Sequence, residues 1–115
     1  MKDFKSQPLE KRKSDSKKVL KKFPTKVPII CYKDHNSVLP SLEKDKYLIP
    51  KSLKVLEFEQ IIRKKISLGE KEALAFFVNE KLMPKKDSTM DEVYAQNKDE
   101  DGFLYIVYME ENISG

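Results

Sequence analysis

The chain has 115 residues, the length of one domain, and its single cysteine excludes an internal disulfide framework. Charged residues make up 37% and hydrophobic residues 39%, which predicts a folded domain with a heavily charged surface. The sequence contains no apolar run near the roughly 20 residues that span a bilayer and no signal-peptide pattern. We therefore expect a soluble protein of the reducing cytosol or nucleus.

The net charge of +4 is distributed unevenly along the chain. Residues 1–26 hold ten Lys or Arg and three Asp or Glu, a balance of +7, which leaves −3 for residues 27–115. We expect a basic helical extension over 1–24 that packs on a body formed by 25–115. Such a segment is an electrostatic footprint for nucleic acid, an acidic protein or anionic lipid, or else a solvated helix face. Aromatic residues are sparse there, which argues against nucleic acid.

The N-terminal elements are predicted from caps and breakers. Ser14 or Ser16 can cap a short helix that Pro24 ends, and Pro8 can begin a separate helical turn before it. The β-branched run "VPIICYK" and the later "KYLIP" predict two strands. Because a polar loop joins them, we expect an antiparallel pair with a long connection.

The second half of the chain shows the clearest periodicity. Val55, Phe58, Ile62 and Ile66 recur at helical spacing and predict an amphipathic helix. "ALAFFVN" predicts a strand, "STMDEVY" a short helix and "FLYIVYM" a long buried strand. The order helix, strand, strand, helix, strand, short helix, strand predicts an α+β fold with the long helix across one face of the sheet.

Residues that could carry catalysis are few. Cys31 lies in a predicted strand, where we interpret it as a buried hydrophobe, and His35 lies in a polar loop, where we interpret it as solvated. The acidic "KDEDG" lacks the ligand spacing of a calcium loop, so Asp101 and Gly102 are interpreted as a tight turn. With three glycines the chain offers no phosphate-binding loop. We expect no metal, no cofactor and no enzymatic activity.

The ordered blocks "EKRKSDS", "KVPIICYK", "DKYLIP", "IIRKKI", "FFVNEKLMP" and "YAQNKDEDGFLYIVYMEEN" extend over nearly the whole chain. In these blocks the sequence resembles the autophagy ubiquitin-like modifiers, the family that includes GABARAP and the microtubule-associated light chains. The resemblance implies a ubiquitin-like β-grasp fold with two additional N-terminal helices.

The resemblance also implies a function for Gly115. Family members are adenylated at a terminal glycine by an activating enzyme and passed through thioesters to the amine of phosphatidylethanolamine, so Gly115 would be the acyl donor. A residue without Cβ threads easily into an enzyme cleft. The implied partners are the activating and conjugating enzymes, a processing and deconjugating cysteine protease, the phosphatidylethanolamine membrane and motif-bearing cargo receptors and adaptors. A cytoplasmic monomer with a lipidated pool on autophagosomal membranes is expected.

The family binds extended peptides that contain an aromatic, two variable residues and an aliphatic, as an added strand with two side-chain pockets. By resemblance the aromatic pocket comprises Asp15, Val19, Pro28, Ile30, Lys46, Leu48 and Phe103. The aliphatic pocket comprises Tyr47, Ile49, Pro50, Leu53, Phe58 and Ile61. For several of these, a plain core role is the competing interpretation.

Three positions depart from the family pattern. Lys65 would contact acidic residues flanking the motif, although the family usually has arginine there. Asp45 replaces a commonly basic residue, which should weaken attraction to acidic flanks, and Ser114 replaces the usual aromatic before the glycine. The alternative function is a non-conjugating module whose basic helices bind tubulin, acidic proteins or anionic membrane.

Overall fold

The computed structural model describes residues 3–111. Within that range the elements, in chain order, are a 3-10 turn at Phe4–Ser6, α1 at Leu9–Lys22, β1 at Lys26–Lys33, β2 at Lys46–Pro50, α2 at Val55–Lys65, β3 at Leu74–Val78, α3 at Met90–Asn97 and β4 at Leu104–Glu110. The predicted order of helices and strands is confirmed. The fold is α+β, with the basic segment forming the 3-10 turn and α1.

The four strands form one mixed sheet in the order β2-β1-β4-β3. β1 pairs antiparallel with β2, as predicted, and parallel with β4, while β3 pairs antiparallel with β4. The two central strands are buried on both faces, which explains why their sequences are almost continuously apolar. The sheet therefore ends in two edge strands, β2 and β3.

Helix α2 lies across one face of the sheet. Its predicted apolar stripe is confirmed, because Val55, Phe58, Ile62 and Ile66 are all buried in the main core. The helix begins where the Glu57 carboxylate accepts a hydrogen bond from the Lys54 backbone N–H at 3.0 Å. This packing places the exposed side of α2 next to β2.

The N-terminal segment covers the opposite face. Phe4 is buried and packs edge-to-face on Phe103, with ring centroids 5.1 Å apart. Phe4, Phe103, Ile30 and Tyr105 together form a second buried cluster. The sheet therefore separates two hydrophobic cores, a large one on the α2 side and a small one on the side of the N-terminal segment.

Helix α1 begins earlier than the sequence predicts. It is one continuous helix from Leu9 with Pro8 at its N-cap, so Ser14 and Ser16 are interior residues and the prediction that either caps the helix was wrong. Nothing between Pro8 and Lys22 breaks a helix, and Pro8 itself supplies the start. Ser16 is buried instead, and its hydroxyl bonds to the backbone oxygens of Lys13 at 3.0 Å and Asp101 at 2.5 Å.

Hydrogen bonds to Asp101 connect α1 with β4 and the turn before it. The buried Asp101 carboxylate accepts hydrogen bonds from Arg12 Nη1 at 2.7 Å, from the Tyr105 hydroxyl at 2.5 Å and from the Phe103 backbone N–H at 2.8 Å. Gly102 follows with φ of +91°, a conformation that favours glycine. The predicted Asp101–Gly102 turn is confirmed, and the structure adds that it joins two distant parts of the chain.

Candidate functional site: the edge of β2

The outer edge of β2 has no neighbouring strand among residues 3–111. The Cys31 N–H donates to the Asp45 carbonyl at 2.7 Å, and the Lys51 N–H donates to the Thr25 carbonyl at 3.0 Å. In an antiparallel pair the hydrogen-bonded positions alternate, so the odd-numbered residues of β2 face β1. The backbone N–H and C=O groups of Lys46 and Leu48 therefore point away from the sheet, ready to pair with an added strand.

The candidate residues of the aromatic pocket share the α1 side of this edge. Leu48 pairs with Pro28, and Lys46 pairs with Ile30, which places these side chains on one face. Lys46 Nζ lies 5.9 Å from the centroid of the Phe103 ring. Pro28, Ile30 and Phe103 are buried, while Leu48 and the α1 residues Asp15 and Val19 are partly exposed.

Most candidate residues of the aliphatic pocket lie on the α2 side, whereas Pro50 has the same parity along β2 as Lys46 and Leu48 and belongs to the other face. Tyr47 packs edge-to-face on the fully buried Phe58, with centroids 6.2 Å apart. Ile49 is buried in the main core, and Leu53 is partly buried against it. Pro50 is exposed and Ile61 half-buried. The competing core interpretation, made for Ile30, Phe58 and Ile61, fits Ile30 and Phe58, which are fully buried, better than the half-buried Ile61.

Lys65 lies beside the second pocket. Its Nζ is 5.8 Å from the centroid of the Tyr47 ring, so the ammonium lies near the start of β2. Burial, followed by nearby charges, raises the pKa of Tyr47 to about 12, which keeps its hydroxyl neutral. That hydroxyl donates to the Lys44 carbonyl at 2.9 Å. The α2 side of the edge therefore offers a positive charge and a neutral aromatic ring.

A cavity of about 260 Å³ lies at the Asp45 end of β2, and the sequence did not predict it. It is lined by Asp3, Phe4, Tyr32, Lys33, Asp34, His35, Ser41, Leu42, Asp45 and Glu80. Four carboxylates face one ammonium in this lining. The cavity is called the acidic cavity below. Of the four carboxylates, the sequence pointed only to Asp45, because the others come from segments far apart along the chain.

Cys31 and His35, the candidates for catalysis, lie in a buried strand and an exposed loop. Cys31 is fully buried, and burial raises the pKa of its thiol well above the usual range, so the thiolate nucleophile is not formed. His35 is exposed in the loop after β1, as expected. Within residues 3–111, no group of three or more His, Cys, Asp or Glu side chains is arranged to hold a metal ion. In the same range no helix is both long and apolar enough to cross a membrane. Gly115 and Ser114 lie outside the described residues.

A mixed sheet with parallel central strands, a helix across one face and a helical N-terminal extension over the other defines a ubiquitin-like protein. The family model described as "Autophagy protein Atg8 ubiquitin like" matches residues 11–115. The chain therefore belongs to the Atg8 family of ubiquitin-like autophagy proteins. The predicted resemblance and fold class are confirmed.

Individual relatives agree with this assignment. The chain is 45% identical over 113 residues to Autophagy-related protein 8 of Candida glabrata, covering 97% of this chain and 95% of that one. It is 42% identical over 113 residues to Autophagy-related protein 8 of Saccharomyces cerevisiae, covering 97% and 96%. The crystal structure of Trypanosoma brucei ATG8 superposes with a TM-score of 0.88 at 37% identity, covering 99% of this chain and all of that one.

Proposed function

We propose that this chain is a ubiquitin-like modifier of autophagy, joined through Gly115 to phosphatidylethanolamine, that recruits partners bearing an aromatic-x-x-aliphatic motif. It is the substrate of conjugation and not an enzyme. The observation that carries the recruiting role is the open edge of β2 between two faces of different character. Family membership supports the conjugating role, and the family match extends through residue 115.

The recruiting role follows from the geometry of a single strand. An extended peptide that pairs with Lys46 and Leu48 gains main-chain hydrogen bonds, and its alternate side chains fall toward opposite faces. Leu48 and its neighbours on the α1 side would receive the aromatic residue, and Tyr47 and its neighbours on the α2 side the aliphatic one. Lys65 would pair with an acidic residue that flanks the motif.

The conjugating role needs a free carboxyl group that an enzyme can reach. The Glu111 N–H donates to the Ala73 carbonyl at 2.9 Å, so pairing between the β3 and β4 segments extends to Glu111, four positions before Gly115. In the proposed chemistry ATP activates the Gly115 carboxylate as an acyl adenylate with loss of pyrophosphate. An enzyme thiolate then displaces AMP, and the lipid amine finally displaces the thiolate to form an amide.

Reconstitution tests the conjugating role. The chain is incubated with activating and conjugating enzymes, ATP and liposomes containing phosphatidylethanolamine, and its intact mass is measured. We expect a mass gain of one phosphatidylethanolamine, dependent on ATP. If the mass stays unchanged while motif peptides still bind, the non-conjugating binding module becomes the better description.

A second candidate function is supported by α1, whose exposed side carries Lys17, Lys18, Lys21 and Lys22. Clustered exposed lysines attract anionic lipid, acidic proteins or tubulin, and salt screens this attraction. Retention on anionic liposomes should therefore fall as salt rises. Retention that stays constant from low to high salt would leave packing on the sheet as the segment's role.

A further inference from the structure

We propose that the acidic cavity at the Asp45 end of β2 selects motif peptides carrying Lys or Arg just before the aromatic residue. This inference rests on the function proposed above, because it assumes that a peptide pairs with β2. It adds a specificity that the pockets on the two faces do not supply.

The direction of the bound peptide follows from the order of the pockets along β2. The residues that would receive the aromatic side chain begin at Lys46, whereas those that would receive the aliphatic one extend to Pro50. A peptide with the aromatic residue first must therefore run parallel to β2. Its preceding residues then lie beyond Lys46, on the Asp45 side. At roughly 3.3 Å per extended residue, one to three preceding residues reach over the cavity mouth.

The charges in the cavity are available to a ligand. The ion pairs formed by described residues engage Asp15, Glu59, Asp99 and Asp101, and they include none of the cavity carboxylates. Asp3, Asp34, Asp45 and Glu80 therefore line the cavity with Lys33 and His35, and none of the four has a paired counterion within 4.0 Å among residues 3–111. An incoming ammonium or guanidinium would lower their mutual repulsion.

The Tyr32 ring lines the cavity together with the carboxylates. Burial, and then the charges of Glu80 and Asp3, raise the pKa of Tyr32 to about 12, so its hydroxyl stays neutral. The neutral ring and the adjoining Phe4 and Leu42 form an apolar wall. Lysine and arginine bury their methylene stems against such walls while the charged head meets carboxylates. An acidic peptide residue would instead be repelled.

Lys46, the residue that follows Asp45, does not line the acidic cavity. Lys46 Nζ lies 5.3 Å from the Phe4 ring centroid and 5.9 Å from the Phe103 centroid, over the aromatic cluster. On the opposite face of the sheet, Lys65 lies beside Tyr47, the second residue of β2. The edge is therefore acidic at the cavity and basic on the α2 face. A partner with basic residues before the motif fits the cavity.

Three peptides test the inference. All share the core Trp-Ser-Ser-Leu followed by Ser-Ser, and they differ only in the preceding residues, which are Lys-Lys, Glu-Glu or Ser-Ser. Their affinities are measured by fluorescence polarisation at low and high salt. We expect the Lys-Lys peptide to bind about 3- to 10-fold more tightly than the Glu-Glu peptide at low salt. The ratio should shrink at high salt, because the charges are then screened.

Isosteric variants locate the effect. Asp45→Asn and Glu80→Gln remove cavity charges at constant shape, and the double variant should bring the ratio close to one while the Ser-Ser peptide binds unchanged. Asp87→Asn is the matched control, because Asp87 is exposed and does not line the acidic cavity. It should leave the ratio as in the parent chain. Equal melting temperatures of all variants would show that folding is preserved.

The outcomes separate the two proposals. If the Ser-Ser peptide binds but all three peptides have equal affinity, or the Glu-Glu peptide is tightest, the selectivity is wrong and the edge-strand function stands. If no peptide binds, the recruiting function fails and this inference fails with it. If the preference persists in the double variant, the cavity is not its source and the inference is wrong.

Discussion

The Arg12 guanidinium lies 2.7 Å from the Asp101 carboxylate, whose side chain is completely shielded from solvent. These residues belong to α1 and to the turn before β4, so the ion pair joins the N-terminal extension to the sheet. Removing one member of a buried pair leaves an uncompensated charge. The extension is therefore expected to unfold together with the body.

Arg12→Ala should lower the free energy of unfolding by about 3 kcal/mol, the lower end for breaking a buried pair, since Asp101 keeps two other donors. Urea denaturation measures the change in the free energy of unfolding, provided that its dependence on urea concentration, the m-value, is the same in both proteins. Lys11→Ala is the matched control, because Lys11 is exposed and lies 3.9 Å from Asp15. It should cost less than about 1 kcal/mol. Similar losses in both variants would contradict a special role for the buried pair.

Asp99 should make folding sensitive to acid. Burial alone raises its pKa, but a backbone hydrogen bond from Asp101 and the charges of Lys5 and Arg12 outweigh burial, so the pKa is lowered overall. A carboxylate with a lowered folded-state pKa stabilises the fold above its unfolded pKa of about 3.9, and this contribution is lost as pH falls through the folded value. Asp99→Asn should therefore flatten the stability profile below about pH 4. The free energy of unfolding is measured by urea denaturation from pH 2.5 to 7. If the variant loses as much stability at acid pH as the parent chain, this prediction is wrong.

Gly102→Ala should destabilise the fold by about 2 kcal/mol or more, through backbone strain and overpacking. Gly102 has φ of +91°, and an added Cβ would lie 2.9 Å from the Cβ of Ser16 and closer still to its hydroxyl oxygen. Gly69→Ala is the control, since its nearest contact would be Glu72 Oε2 at an ordinary 3.7 Å. Thermal melts should shift strongly for the first variant and little for the second.

Leu48→Ala should weaken binding of an aromatic-x-x-aliphatic peptide by about 1 to 3 kcal/mol, the range for a lost anchor. Leu48 is half-buried at the open edge, so the stability cost should be small. Leu82→Ala serves as control, because Leu82 is 52% exposed and follows the opposite edge strand. Titration calorimetry should detect weaker peptide binding in Leu48→Ala and unchanged binding in Leu82→Ala. Chemical-shift changes confined to β3 would place the peptide elsewhere.

Deletion of Gly115 should abolish thioester formation and the lipid adduct while leaving the melting temperature unchanged. The residue has no side chain to bury, whereas the shortened chain would offer Ser114 one residue short of the active centre, and such misplacement costs about 100-fold in rate. Gly115→Ala keeps the length and should react more slowly than the parent but faster than the deletion. Equal thioester and adduct formation by all three chains would show that Gly115 is not the acyl donor.

The order of elements was predictable because it depends on local patterns. The apolar stripe of α2 from Val55 to Ile66 and the continuous apolar run of β4 each report burial within a few residues of chain. The Asp101–Gly102 turn was predictable for the same reason, since turn chemistry is local. The candidate peptide pockets stay a prediction, and only the family resemblance suggests them, because their residues come from α1, β1, β2, α2, the loop before α2 and the turn before β4.

Only the folded chain decided where α1 begins and what holds it. Ser16 is a plausible cap in isolation, but it is buried because Asp101, 85 positions later, is brought against it. The acidic cavity arises in the same way, from side chains at positions 3, 34, 45 and 80 that the sheet order brings together. Local periodicity determines which residues form each element, whereas charge clusters and buried pairs depend on contacts between elements far apart in the chain, and only tertiary packing specifies those contacts.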